Sequence, residues 1–599
     1  MIKKDKKTYA DGRTKTQIRV VESYWVGSGL PPKQRTVKSF GYLEDQDDQV
    51  NFMKKVERFN EDFKKNKQPI RLEADLTAKM YSKENQKYNY GYKYLESIYN
   101  SLNIDKFMDD FLDKIKFRGK YPVTDIFKFL VILRILNPDS KRATFQMKNE
   151  FYKMNTDFNL EDVYRSLDEI AASEIELQRH LNNQVKNAIG RDLSYAFYDV
   201  TNYFFEIDFP SSEADIRQKG VSKEHRTSPI VGMGLFMDSN GLPVSMSIFP
   251  GNTSDSITLE PTMKDVKSSY DLGRLIVVAD KGLNSSKNID IIVNNGDGYL
   301  FSQIIKGTKG QRYHEELFNP AGWISNADNT YRTKLFEEEY TGKDKDGKKI
   351  TRKRKVLLYW SKVEAEIAEK KRLEKLAKAA KSVANNAYSI KKGHEEYTKE
   401  NIVDKSSGEV LEDIKKIRSV DIDKAELDSQ YDGYFCIITS ELDYDESKIR
   451  EVYHGLWKIE QSFRIMKSDL YARPVYVWTN EHIKAHFLIC FAALLIVRII
   501  QHKMGDGALS AERIARCLNE VTCQISTNGI VKLDDVGGAI AFKKVPDKNG
   551  KLIETLDHTT EDEIALDYKI IQNLFNTDIN NIYHRQEEFN KLLKEIVAL

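Results

Sequence analysis

Residues 193–305 and 433–502 predict an α/β fold, and three observations carry that expectation. At Leu193 the apolar period changes from helical to alternating, and Ser194–Glu206 reads as a strand rich in aromatic and β-branched residues, with Asp199 inside it. Two further strands, Ile230–Asp238 and Pro243–Phe249, meet at Ser239-Asn240-Gly241, a strong hairpin signal. Helices over 256–268 and about 285–294 then alternate with a short buried strand, Leu275–Asp280, and a last strand, Gly298–Ile305.

The order strand, strand, strand, helix, strand, helix, strand is that of an RNase H-like sheet. In such a sheet the first and fourth strands are neighbours. Asp199 in the first and Asp280 at the end of the fourth can therefore meet, although they are far apart in the chain.

The rest of the chain is arranged around this core. A chain of 599 residues with 40% hydrophobic content is long enough for several domains with ample core. Over 1–90, the strand-like runs Gln17–Val26 and Arg35–Tyr42 flank a wide Gly-Pro turn, and a polar, charged stretch follows. Over 91–192 the period is helical, with Pro122 at a first-turn position and helices expected near 141–153, 160–171 and 173–189. This helical N-terminal domain suits DNA binding or dimerisation equally well. After the first segment of the core (193–305), an insertion spans 306–432. It contains the strand Lys353–Trp360, a basic helix over 362–384 that either touches DNA or is simply solvated, and a polar segment, 386–415. The second segment of the core (433–502) opens with the strand Tyr434–Thr439, and 503–599 reads as a helical C-terminal region.

Composition narrows the function. Net charge is only +2, but residues 1–70 carry 16 Lys/Arg against 10 Asp/Glu and residues 341–400 carry 18 against 9, local excesses compatible with a polyanion partner. The four cysteines form no CxxC pair, which argues against a disulfide scaffold and a thiolate zinc site and fits a reducing compartment. The N-terminus is polar and lysine-rich, and the apolar run Phe487–Val497 is too short to span a bilayer. The expectation is a cytoplasmic protein with neither a membrane nor a small-molecule partner.

The second half of the candidate site lies on Tyr453–Lys467, read as one helix capped by Asp445. Leu456, Ile459, Phe463, Met466 and Leu470 form its apolar stripe, while Tyr453, Glu460, Arg464 and Lys467 line a second face. Docking the stripe on the sheet would bring Glu460 to Asp199 and Asp280. Three carboxylates suffice for two Mg²⁺ or Mn²⁺ ions, which take few protein oxygens and can run an in-line displacement at phosphorus. His482 and His486 are four apart but lack a third ligand, and Trp457 reads as packing or as a base-stacking residue.

These residues resemble the DDE transposases of bacterial insertion sequences, in the subgroup with a Tyr–Arg–Glu–Lys signature and a β-rich insertion before the glutamate. Tyr198-Asp199-Val200-Thr201 is similar to the first-aspartate motif and Ala279-Asp280-Lys281-Gly282 to the second. Between them, Gly220–Arg226, Gly234, Gly241-Leu242-Pro243 and Gly251–Asp255 resemble intervening motifs in the family's order. Tyr453, Glu460 and Lys467 fall at the signature's spacing, but Leu456 stands where the family has arginine, with Arg464 or Lys458 as replacements. The resemblance implies that Asp199, Asp280 and Glu460 are catalytic and bind two divalent ions. It places Tyr453, Lys467 and Arg464 on DNA phosphates. It further implies cleavage at terminal inverted repeats, transfer of 3′-hydroxyl ends into double-stranded target DNA, and a dimer on paired ends. The competing readings are an RNase H-like nuclease or resolvase without strand transfer, and a domesticated, non-catalytic DNA-binding protein.

Overall fold

The computed structural model describes residues 1–8, 13–24, 33–46, 48–66, 86–210, 212–221, 223, 227–270, 273–384, 396–404, 414–505, 507–526, 529–537, 542–546, 552–556 and 562–597. The N-terminal Gly-Pro turn, Ser222 and Glu224–Arg226 of the intervening motif, and most of the polar segment 386–415 lie outside the described residues. The chain divides into two compact units, Met1–Lys83 and Glu84–Leu599.

The first unit is an antiparallel sheet of β1 (Ile2–Thr8), β2 (Thr14–Tyr24) and β3 (Lys33–Tyr42), in that order, with the helix α1 (Gln49–Asn66). Phe52, Met53, Val56, Phe59 and Phe63 recur on one side of α1 and pack on Ile18, Val20, Val37 and Phe40 of the sheet. The expected hairpin is present. The strand β1 and the helix α1 are additions to it. Ile2-Lys-Lys-Asp-Lys-Lys-Thr8 has no apolar alternation to announce a strand, and the charge of α1 masks its apolar helical period.

The second unit begins with β4 (Lys87–Asn89) and the helices α2 (Tyr92–Ser101), α3 (Ile104–Lys114), α4 (Val123–Leu136), α5 (Lys141–Gln146), α6 (Leu160–Ala172) and α7 (Glu174–Ala188). A full capping box, Asn159 with Asp162, starts α6. The helix α5 ends well short of the expected residue 153. Next come β5 (Ala196–Phe204), β6 (Ile230–Asp238), β7 (Pro243–Pro250), α8 (Leu259–Tyr270), β8 (Ile276–Ala279), α9 (Ser286–Asn294) and β9 (Gly298–Gln303), in the expected order.

The insertion contains α10 (Gly307–Gly310), α11 (His314–Phe318), β10 (Ile324–Ser325), β11 (Tyr331–Lys343), β12 (Lys349–Ser361), α12 (Lys362–Ala384), β13 (Thr398–Asp404), β14 (Ile414–Val420) and α13 (Ile422–Ser429). After it, β15 (Tyr434–Thr439) pairs antiparallel with both β9 and β12, so the long hairpin of the insertion continues the main sheet. The result is one nine-stranded sheet in the order β10-β11-β12-β15-β9-β8-β5-β6-β7. Within it β5, β8 and β9 run parallel, while β6 and β7 are antiparallel to their neighbours. The protein is thus mixed α/β.

Alternation assigns the faces of this sheet. Tyr198, Val200, Val277, Ala279, Tyr299 and Phe301 face α8 and α9. Phe197, Tyr203, Val278 and Leu300 face a larger core that includes α2, α4, α6 and α7. That second face also receives α14 (Glu446–His454), α15 (Trp457–Arg464) and α16 (Asn480–Met504). The helix α16 is long and apolar enough to cross a membrane, but its flanks are covered by protein, mainly α4 and α6. A helix apolar on every side is what such a central position requires.

The single helix expected over Tyr453–Lys467 is in fact three pieces. The helix α14, capped by Asp445 through the backbone N–H of Lys448 at 2.7 Å, ends before Gly455. A Cβ at Gly455 would lie 2.3 Å from the Phe197 ring, so glycine permits the close approach of this junction to β5. The helix α15 then gives way to a π-helical turn at Ile465–Asp469.

The C-terminal region, expected to be helical, is mixed. It comprises α17 (Ala511–Glu520), β16 (Thr522–Ile525), β17 (Ile530–Leu533), β18 (Phe542–Pro546), β19 (Leu552–Leu556), α18 (Glu563–Leu574), β20 (Tyr583–Arg585) and α19 (Gln586–Lys594). The strands β20, β17 and β16 form a sheet that ends on β4, joining the two ends of the second unit.

Candidate active site

Sheet register brings the two aspartates together. Phe197 pairs with Val278 across the parallel strands β5 and β8, and continuing that register by two residues sets Asp199 level with Asp280. Both alternate out of the face covered by α8 and α9, so both point to the side where α14 and α15 dock.

Local hydrogen bonds hold each acid. The Val200 N–H donates to Asp199 Oδ1 at 2.7 Å, and Ser302 Oγ on β9 donates to Asp280 Oδ1 at 2.6 Å. Asp280 is exposed and Asp199 half-buried. Burial pushes the Asp199 carboxyl up to about 6; the negative charges of Asp280 and Asp255 add to this, while Lys223 and the Val200 N–H oppose it. A half-buried acid facing two other acids is a site that favours a cation.

Tyr453 and Lys467 flank the pair. Tyr453, near the end of α14, lies beside Ser302 and Asp280 and close to Glu460; burial raises its hydroxyl to about 12, helped by both carboxylates and opposed by Ser302. Lys467, in the π-helical turn, donates from Nζ to Thr201 Oγ1 at 2.7 Å and sits 5.5 Å from the Tyr203 ring centroid. Burial, with Lys223 nearby, lowers its ammonium to about 8, against the pull of Asp199. An open groove of about 1080 Å³ lined by Thr201, Lys223, Asp255, Asp280, Ser302 and Tyr453 runs across this end of the sheet.

Glu460 is exposed on α15, whose Ile459 and Phe463 are buried beneath it with Leu456. It adjoins the site through Tyr453, but among the described residues no three of the His, Cys, Asp and Glu side chains converge closely enough to hold an ion. Arg464 is exposed and holds down the carboxyl of Asp469, which burial and Glu512 raise. Lys458 is committed elsewhere: its Nζ donates to Ser239 O at 2.5 Å, anchoring α15 to the β6–β7 turn. The two histidines also part. His482 faces Asp168 at 3.3 Å, while His486 is buried with Nε2 3.1 Å from Ala472 O. Trp457 is 47% exposed.

Sequence reasoning passes over Lys223, Asp255 and Ser302. Lys223 donates to Val200 O and lies 3.7 Å from Asp255, so this cation sits among the acids of the groove. Lys223 and Asp255 both fall within the intervening motifs that resemble the family's, and that is the signal the sequence offers for them.

Residues 207–496 match the family model described as "Transposase DDE domain", a span that includes Asp280 and Glu460 and begins just after Asp199. Residues 2–70 match the model described as "IS1634 family transposase, N-terminal domain". No curated protein has a matching sequence. Among solved structures, the piggyBac transposase synaptic complex with hairpin DNA aligns over 72% of this chain and 78% of its own, at 9% identity and a TM-score of 0.32. The Mos1 transposase paired-end complex with left transposon end aligns over 46% and 72%, at 13% identity and a TM-score of 0.14. Both scores are too low to relate the folds. The two family matches together span more than half of the chain, which belongs to the DDE transposases of bacterial insertion sequences.

Proposed function

We propose that this transposase has an RNase H-like core whose Asp199, Asp280 and Glu460 are its catalytic carboxylates, acting on transposon ends held by a dimer in the cytoplasm. The observation that carries the reading is the level placement of Asp199 and Asp280 on neighbouring parallel strands, with Tyr453 and Lys467 on either side.

The residues fit a divalent cation. Carboxylates are the hard oxygen donors that Mg²⁺ or Mn²⁺ prefers, and a cation beside Asp199 would offset the burial that raises its carboxyl. Asp199 and Asp280 would hold such ions, two by expectation, and Glu460 would complete the set by moving towards them from α15. Bound there, they would supply activation of the attacking oxygen and stabilisation of the leaving one.

The protein's own groups bind and orient the DNA strand. Lys467, half-buried and already hydrogen-bonded to Thr201, would regain its full charge next to a phosphate oxygen. The phenol of Tyr453 stays protonated at any physiological pH and can donate to a second phosphate oxygen. Arg464, exposed one turn beyond Glu460, would contact the backbone further along the duplex. Because Lys458 is tied to Ser239, Arg464 is the better replacement for the arginine absent at Leu456.

The test incubates purified protein and Mg²⁺ with duplex DNA carrying the inverted repeats that flank the gene. Cleavage at the repeat ends and a joined product are expected, and both should vanish in Asp280→Asn. Cleavage that persists in that variant would remove Asp280 from the chemistry.

A further inference from the structure

Beside the acid pair the groove holds a cation of its own, Lys223, on a short segment clasped to β5. Asn202, buried on that strand, donates from Nδ2 to Val221 O at 3.1 Å. The Lys223 N–H donates back to Asn202 Oδ1 at 3.3 Å. From this clasp the Lys223 ammonium reaches Val200 O, the carbonyl of the same residue whose N–H holds Asp199. Asp255 stands 3.7 Å from it.

Charge and burial give this lysine a definite part. Burial raises the Asp199 carboxyl, and Lys223 is the strongest of the influences that oppose it. The ammonium is therefore already drawn to the carboxylate that a divalent ion would use. Like charges repel, so ion and ammonium compete for Asp199. The lysine is not locked in place. Both partners of the Lys223–Asp255 pair are 43% exposed, and exposed pairs hold their side chains weakly. A lysine head on its flexible stem can leave while its backbone stays clasped. The phosphates of a DNA strand lying in the groove offer it another partner.

We propose that Lys223 competes with divalent ions for Asp199 and so sets how tightly the acid pair holds them, until a DNA phosphate draws the ammonium away. Ion binding and DNA binding would then strengthen each other, by the same factor in both directions. The inference rests on Asp199 and Asp280 being the ion-binding pair, and the experiment separates the two claims.

The experiment titrates the full-length protein with Mn²⁺ and reads free Mn²⁺ by electron paramagnetic resonance. Lys223→Met keeps most of the stem and removes the charge. Without DNA it should bind Mn²⁺ on the order of ten-fold more tightly than the wild type. Lys223→Arg keeps the charge and should stay within about two-fold of the wild type. With a duplex that ends at the terminal repeat, wild type and Lys223→Met should differ by less than about two-fold. Equal affinities of the two without DNA, alongside weaker binding by Asp280→Asn, would overturn the proposal and leave the acid pair standing. So would an equal tightening in Lys223→Arg, because charge would not be the cause. A gap that persists with the duplex would overturn the part played by DNA. Mn²⁺ binding unaffected by Asp280→Asn would instead overturn the acid pair.

Discussion

Two of the places where charge is buried in the second unit are built in opposite ways. Beside the groove, Asp199 faces Asp280 and Asp255, and cations oppose them through Lys223 and Lys467. Beneath α16, the buried Arg134, Lys141 and His486 stand together; burial lowers Lys141 and His486, neighbouring cations lower both further, and Cys490 opposes this at Lys141. Here the compensation comes from backbone carbonyls. Arg134 donates to Asp139 O at 2.9 Å, Leu470 O at 3.4 Å and Tyr471 O at 3.5 Å, and His486 meets Ala472 O at 3.1 Å. One arrangement leaves charge under-compensated at an open groove, where a ligand can supply the rest. The other neutralises it within the fold and clamps the chain that follows the π-helical turn.

The two places respond to pH with opposite signs. Asp199 has a folded-state value of about 6, above its unfolded value of 3.8. Its contribution to stability is therefore fully present below 3.8 and is lost as pH rises through 6. Burial and the neighbouring cations hold His486 well below 6.5, so the unfolded chain takes up a proton first and stability falls as pH drops below 6.5.

The sharpest way to separate the two regions is activity. Asp280→Asn should lower cleavage of a terminal-repeat duplex by on the order of 10³-fold or more while leaving the melting temperature near that of the wild type. A variant that melts far earlier would mean Asp280 is structural, like Arg134. Arg134→Met should do the reverse in stability, costing about 3 kcal/mol in denaturant titration because three carbonyls lose their donor. A loss below ~1 kcal/mol would show that the clamp is dispensable. Asp199→Asn should stabilise the protein by about 2 kcal/mol above pH 6, with no gain near pH 4. Destabilisation at neutral pH would contradict the under-compensated charge at the groove. His486→Gln should flatten the acid limb of the stability curve, removing about 1.4 kcal/mol per pH unit just below 6.5. An unchanged limb would place the titrating group elsewhere.

Local pattern makes much of the core legible. The period change at Leu193, the Ser239-Asn240-Gly241 hairpin and the alternating helices place the seven core elements in their order, and Asp199 and Asp280 with them. The helix α12 is legible to the residue, since its Ala, Glu, Lys and Leu content is unambiguous. Elements whose pattern is masked by charge are not legible: four of the seven residues of β1 are lysine, and α1 hides an apolar stripe among charged residues. The strands β16, β17 and β20 escape because they are short and belong to a sheet completed by β4, from the other end of the second unit.

The sequence by itself determined the family and the order of the core elements, and it singled out Asp199, Asp280 and Glu460 as candidates, because motif spacing and periodicity are local properties. Tertiary structure decided what those side chains meet. It broke Tyr453–Lys467 into α14, α15 and a π-helical turn, since the junction must pass the Phe197 ring at Gly455. That break sends Tyr453 to Asp280 and Lys467 to Thr201. The fold also ties Lys458 to Ser239 and, from the segments after β5 and β7, sets Lys223 beside Asp255. A straight helix cannot supply these placements, because its residues share fixed faces. The bend and the sheet beneath it decide which atoms come within reach.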